Sequence, residues 1–206
     1  LDSKAVITWQ SYDKSIRDFK LYMKIIDFTK TEIIAKNDTL VSNIPQVSQI
    51  NSHIANFTDG SYIIAWQGKN KSIVGYSIYI QKFDSSGQML QETKIIKSSS
   101  LINYINPKVS TFLDSSYIIT WYGNENGKNK LYAKKYYVDG QSEEFLLDDN
   151  CTNSNQLNQN ILTFSDGSYL IYWQKRDNHY RKSKVIFKKY DTDGTEQFIY
   201  EEDSSD

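Results

Sequence analysis

The stretch LDSSYIITW, Leu113 to Trp121, is one of four versions of a single phrase, and that repetition restricts the fold more than any composition figure does. Aligned on tryptophan, the versions end at Trp9, Trp66, Trp121 and Trp173, separated by 57, 55 and 52 residues. Three are preceded by a second conserved half, giving NSHIANFTDGSYIIAW from Asn51, NPKVSTFLDSSYIITW from Asn106 and NQNILTFSDGSYLIYW from Asn158. In each of these, Asn stands six residues before Phe and a β-branched residue stands three before it. After each Trp a further phrase recurs, as LYMKIID from Leu21, IYIQKFD from Ile78, LYAKKYY from Leu131 and VIFKKYD from Val185. A weaker one follows as IIAK at Ile33, KIIK at Lys94, FLLD at Phe145 and FIYE at Phe198.

Each unit reads as four short strands joined by Asp-Gly or Asp-Ser turns, at Thr58-Asp59-Gly60, Asp84 to Gly87, Asp139-Gly140, Asp166-Gly167 and Asp193-Gly194. In the second strand, Tyr62, Ile64 and Trp66 point one way and Ile63 and Ala65 the other, so neither face is polar. A strand of that kind needs cover on both sides. The third strands alternate more, with Tyr132, Lys134 and Tyr136 opposed to Leu131, Ala133 and Lys135, which suits a position nearer the outside. Four-stranded units of this period, stacked face to face, describe an all-β, β-propeller-like array of antiparallel blades. A β-sandwich also uses many short strands but requires no internal repeat, and solenoid coils are usually shorter. The period decides for the propeller, as a single array with repeats at approximately 1–50, 51–105, 106–157 and 158–206.

The first repeat is incomplete. LDSKAVITW, Leu1 to Trp9, matches only the second half of the long phrase, so unit one is expected to hold three strands and the others four. The favoured expectation is a fragment of a longer repeat array; otherwise the absent strand comes from the chain's tail or from a neighbouring copy by strand addition.

The phrase NPKVSTFLDSSYIITW followed by LYAKKY resembles a repeat of long secreted and cell-surface bacterial proteins, with the pattern P-x-V-x-x-L-x-D-G-G-F-V-V-x-W and then I-Y-A-Q-R-F-D. In the second unit Asp59, Gly60, Tyr62, Trp66, Tyr79, Gln81, Lys82, Phe83 and Asp84 fall on that pattern. The resemblance spans essentially the whole chain and implies an extracellular or cell-surface setting, with an adhesive or scaffolding role. It supplies no catalytic residues. Proteins carrying it often bear calcium-binding glycine-rich nonapeptides, and this sequence has none, so calcium is not carried over.

Composition narrows the partners. Lys and Arg number 24 against 25 Asp and Glu, which gives no basic footprint for nucleic acid. No apolar run reaches the roughly 20 residues of a membrane helix, so no membrane insertion is expected. Cys151 is the single cysteine, excluding an internal disulfide and a cysteine-based zinc cluster. His53 and His179 share no recurring position or metal-like spacing.

Each remaining candidate has a structural reading beside it. Asp191-Thr-Asp193-Gly194 lacks the further ligands of a calcium loop, and turn chemistry accounts for it. Asp59, Asp114 and Asp166, with Asp2 as the fourth, recur at equivalent positions, whereas an acid and a base need unlike environments. Trp66, Trp121, Trp173 and Trp9 are candidate stacking platforms for sugar rings, though their place on inner strands makes them core first. Sequons at Asn37, Asn70 and Asn150 fall in expected loops and are candidate glycosylation sites; Asn56, against the Phe57 turn, is the less accessible fourth. The tail EEDSSD is acidic and expected to fray.

The sequence therefore predicts a non-catalytic propeller-like module without cofactor or metal, adhesive or structural, associating with copies of itself or with other repeats. The alternatives are a carbohydrate-binding lectin propeller and a glycoside hydrolase-type propeller enzyme.

Overall fold

The structure, a computed structural model, describes residues 4–15, 17–28, 34–35, 38–45, 47–70, 75–125, 127–148, 154–177 and 183–203. Among these, all regular structure is β. The first sheet comprises β1 (Lys4–Asp13), β2 (Asp18–Asp27), β3 (Ile34–Ala35) and β4 (Thr39–Leu40). The second holds β5 (Val47–Asn56), β6 (Tyr62–Asn70), β7 (Ser77–Phe83) and β8 (Lys94–Lys97). The third holds β9 (Asn103–Thr111), β10 (Tyr117–Glu125), β11 (Lys128–Tyr136) and β12 (Ser142–Asp148). The fourth holds β13 (Ser154–Thr163), β14 (Tyr169–Asp177), β15 (Ser183–Tyr190) and β16 (Glu196–Asp203).

Sheets two to four are antiparallel meanders in simple chain order. In sheet one, β3 and β4 both pair with β2, so that sheet is only three strands wide. Its β1 carries Trp9 and corresponds to β6, β10 and β14. The strand corresponding to β5, β9 and β13 is the one this blade lacks among the described residues, as the incomplete first phrase predicts. Of the IIAK segment, only Ile34 and Ala35 lie within the described residues.

The turns show why the phrase is repeated. After β5, the Phe57 amide donates to the Ser61 carbonyl at 2.8 Å and the Gly60 amide to the Phe57 carbonyl at 3.1 Å. Asp59 Oδ1 then accepts the Ser61 amide at 2.9 Å and the Ser61 hydroxyl at 2.6 Å. The same pair of side-chain bonds recurs from Ser116 to Asp114 and from Ser168 to Asp166. Gly60 and Gly167 sit at φ 82° and 84°, but the third blade places Ser115 there, at φ 70°.

Packing follows from the two-faced second strand. Tyr62, Ile64 and Trp66 join Leu21, Met23 and Val41 of the first blade in one core, while Ile63 and Ala65 join Val109, Tyr117, Ile119 and Trp121 of the third in another. Ile118 and Tyr122 then meet Tyr169, Ile171 and Trp173 of the fourth. The blades thus stack in chain order, each burying its Tyr-x-Ile-x-Trp face against the blade before it. The second strands of the two middle blades, β6 and β10, therefore fill the space between two neighbouring sheets. Two glycines permit close approach: a Cβ on Gly68 would meet the Tyr79 ring at 2.7 Å, and one on Gly123 the Tyr132 ring at 2.8 Å.

Two stability changes of opposite sign are expected. Ser115→Gly relieves a left-handed conformation and should stabilise the fold by about 0.5 kcal/mol after the entropy cost of glycine. Gly123→Ala forces a methyl group into the Tyr132 ring and should destabilise by about 1–3 kcal/mol. Urea unfolding midpoints at constant m-value measure both.

Candidate functional site

The inner strands of blades two to four converge on a polar site built from the Asn of the long phrase. Asn51, Asn106 and Asn158 all adopt φ of 52–54°, the left-handed region that Asn tolerates better than other side-chain-bearing residues. Each sits at a bulge, where the ladder shifts between Ile50 and His53, between Leu157 and Asn160, and opposite Trp121 between Thr120 and Tyr122. The bulge turns each Asn out of its own ladder, and the backbone amides of Asn51 and Asn106 reach the preceding blade.

A chain of hydrogen bonds results. The Asn51 amide donates to Gln10 Oε1 at 3.1 Å, and the Asn106 amide to Gln67 Oε1 at 2.8 Å. Gln67 Oε1 also accepts Asn51 Nδ2 at 3.1 Å, and the same Nδ2 lies 3.1 Å from Asn106 Oδ1. Gln174 Oε1 accepts Asn158 Nδ2 at 3.2 Å. In the third blade Tyr122 stands where the others have Gln, and its hydroxyl accepts the Gln159 amide at 2.7 Å. Each Gln thus follows the blade's Trp and joins its own inner strand, the next one, or both.

Around these residues is a cavity of about 320 Å³ lined by Asn51, Ser52, Asn106, Pro107, Lys108, Asn158 and Gln159. Its side chains offer amide donors and acceptors, a hydroxyl and one ammonium group, the chemistry that holds hydroxylated or anionic ligands. Among the described residues, no carboxylate or imidazole is one of the lining groups.

The repeating aspartates lie apart from this cavity, in the turns that follow the inner strands. Hydrogen bonds from Ser61 hold the Asp59 carboxyl below its ordinary range, and those from Ser168 do the same for Asp166. At Asp114 burial pushes upward, but the Ser116 hydroxyl and amide outweigh it and the net shift is again downward. Three acids moving in one direction remain three carboxylates near neutral pH, where a general acid would need the opposite shift. Asp2 lies outside the described residues.

A second inter-blade device runs through the third strands. Lys82 Nζ lies 4.9 Å from the centre of its own blade's Phe57 ring and 4.3 Å from that of Tyr117 in the next blade. Lys135 repeats this over Phe112 at 4.8 Å and Tyr169 at 5.3 Å, and donates to the Thr192 carbonyl at 3.0 Å. Burial lowers the pKa of both lysines. Each cation is clamped between two blades by ring faces that compensate part of its lost hydration. Lys189 of the fourth blade lies over its own Phe164 at 5.9 Å.

The residues nominated from sequence fall into distinct places. Trp66, Trp121 and Trp173 are 0, 0 and 1 % exposed. No ring face is left for a sugar, which corrects their candidacy as stacking platforms and leaves the core role. Trp9 is half-buried and stacks on Tyr22 with centroids 6.0 Å apart. Asn56 is exposed at the end of β5, contrary to the expectation of lower accessibility, because its side chain leaves the sheet where the strand ends. Asn70 is half-buried at the end of β6, while Asn37, Asn150, Cys151 and His179 lie outside the described residues. Asp191 Oδ1 and Asp193 Oδ1 both accept the Thr195 amide, at 2.9 and 2.8 Å, as a turn requires. Among the described residues no group of three or more His, Cys, Asp or Glu side chains converges as metal ligands would. The Gln and Asn linkage was missed at the sequence level, although Gln after Trp in three of four units was its signal.

His53, outside the cavity lining, gives the fold a pH dependence. Its Nδ1 accepts the Val109 amide at 3.3 Å, and burial, with Lys108 nearby, lowers its pKa from 6.5 to about 4. The fold holds the neutral ring, so this contribution is complete above pH 6.5 and is lost as pH falls through about 4. Thermal melts of the parent should decline across that interval more steeply than those of His53→Gln, which has no proton to take up.

Comparison with known proteins adds the fold. An endo-arabinase from Bacteroides thetaiotaomicron VPI-5482 superposes with a TM-score of 0.54 at 11 % identity, covering 100 % of this chain and 81 % of that one. A GH43 endo-arabinanase from Bacillus licheniformis gives 0.53 at 12 % identity, covering 95 % and 73 %. The architecture is thus that of β-propeller structures. No protein-family model and no curated protein sequence matches the chain.

Proposed function

We propose that this chain is a non-catalytic β-propeller repeat module, structural or adhesive, which associates with copies of itself through the faces of its two end blades. The observation that carries this reading is the fate of one recurring residue. The Phe that closes the inner strand is 6 % exposed at Phe57 and 5 % at Phe112, where a following blade covers it, but 42 % at Phe164 on the last blade. Leu162 beside it, and Ile7 on the opposite face of the first blade, are also exposed. An uncovered face whose counterparts are core elsewhere in the molecule is an association surface. One end presents the face that normally receives a following blade and the other the face that normally receives a preceding one, so copies would pack head to tail. An extracellular or cell-surface setting belongs to the same proposal, supported by the resemblance of the phrase to surface-protein repeats.

The absence of hydrolysis is part of the reading, supported by the cavity's amide lining and by the like shifts of the turn aspartates. The two structural neighbours are named for action on arabinan, which makes arabinan the first substrate to test. A carbohydrate-binding role is the second reading, favoured by that same lining, and here the ligand would contact Asn106 and Lys108 instead of the tryptophans.

Sedimentation velocity across a concentration series should show reversible association, reduced at least about tenfold by Phe164→Asp, the size of one lost apolar anchor. The same samples should release no reducing ends from arabinan. A chain that stays monomeric at every concentration, or that cleaves arabinan, overturns the proposal. Calorimetric titration with arabino-oligosaccharides, parent against Lys108→Ala, tests the second reading.

A further inference from the structure

The cavity between the inner strands is not electrically neutral. All of its lining comes from blades two to four, and the one ionisable side chain in it is the half-buried Lys108. Among the described residues the Lys108 ammonium has neither a hydrogen bond nor an ion pair. Its charge does reach His53, whose ring is kept neutral near pH 7 by burial first and by this repulsion second. The lining therefore carries one positive charge and, among the described residues, no negative one.

The amides around this charge are held in place with hydrogen-bonding capacity to spare. Asn51 Nδ2 donates to Gln67 Oε1 and lies 3.1 Å from Asn106 Oδ1, while Asn158 Nδ2 donates to Gln174 Oε1. That leaves Asn106 Nδ2 as a donor, and Asn51 Oδ1 and Asn158 Oδ1 as acceptors, without partners among the described residues. Ser52 Oγ shares one bond with Thr8 Oγ1 at 2.9 Å and has capacity for another. The three Asn side chains are exposed, so these spare groups are accessible. At about 320 Å³ the space is at the small end of the range for ligand sites.

Two chemistries thus meet in one small space. Fixed amides that offer both donors and acceptors match sugar hydroxyls, which are both at once, and an unpaired ammonium matches a carboxylate. A neutral sugar would leave the charge unused, and a simple anion would leave the acceptors unused. We infer that the cavity is a site for a uronic acid residue of an acidic saccharide. Its carboxylate lies on Lys108 Nζ and Asn106 Nδ2, and its ring hydroxyls donate to Asn51 Oδ1 and Asn158 Oδ1. This rests on the carbohydrate-binding reading above and gives it a ligand class.

The probe is trigalacturonate, titrated calorimetrically into the full chain beside its trimethyl ester, which keeps the rings and loses the charges. The acid should bind at least about tenfold more tightly than the ester, the size of one charge-assisted hydrogen bond. Lys108→Gln should abolish that preference and Lys108→Arg should retain it. In the parent protein the preference should shrink as salt is raised to about 1 M, a readout that needs no variant. A rise in the His53 pKa in unliganded Lys108→Gln, followed by NMR, shows that this variant is folded and has lost the local charge. Equal affinity for acid and ester overturns the inference and leaves the carbohydrate-binding reading standing. Binding of neither also overturns it, and the arabino-oligosaccharide titration then decides the broader reading separately. Acetate that competes mole for mole with trigalacturonate, or a preference unchanged in Lys108→Gln, overturns it as well.

Discussion

A strand apolar on both faces cannot rest at the surface of a sheet, and the organisation of this chain follows from that constraint. Ile63 and Ala65 require one neighbour and Tyr62, Ile64 and Trp66 another, so each blade depends on the blades packed against it. Aromatic rings fill the wedge: Trp66 on Tyr79 and Trp121 on Tyr132 stack nearly parallel, at 13° and 8°. The glycines two residues after these tryptophans let each tyrosine lie flat over the backbone. Polar linkages between blades are added to this apolar stacking, through Gln and Asn near the inner strands and through lysine between rings further out.

The period, the turns and the two-faced strands were legible because they are local and periodic. Asp59, Gly60 and Tyr62 occupy fixed offsets dictated by hairpin geometry, and the alternation of Leu131 and Ala133 against Tyr132 is written directly in the chain. The incomplete first blade was legible for the same reason. Less visible were features that arise only when blades meet. Lys135 reads as a polar residue on an apolar face, and its burial makes sense only once Phe112 and Tyr169 come from two blades to enclose it. The recurring Asn could be seen, but its left-handed backbone and its bond to Gln could not, since sequence spacing carries no dihedral angle. Exposure at strand ends was also hidden, as Asn56 shows.

The candidate site inherits its character from this construction. Because the phrase is repeated, the groups it brings to the cavity are alike, amide beside amide. Likeness favours recognition of a repeating or symmetric surface and works against chemistry that needs dissimilar neighbours. Lys108 and Pro107, which have no counterparts in the other two copies, are where the cavity departs from that uniformity.

The extensive contacts between blades run from each to the next in chain order, and this has a mechanical consequence. Among the described residues no extensive contact joins the first blade to the last, so a load applied across these four blades meets nothing that holds the whole fan at once. It would strip an end blade first, exposing the next interface to the same load, so extension would proceed in successive steps, each freeing about 50 residues or roughly 170 Å of chain. A module built in this way yields gradually under tension, and each released blade can refold against the neighbour that remains.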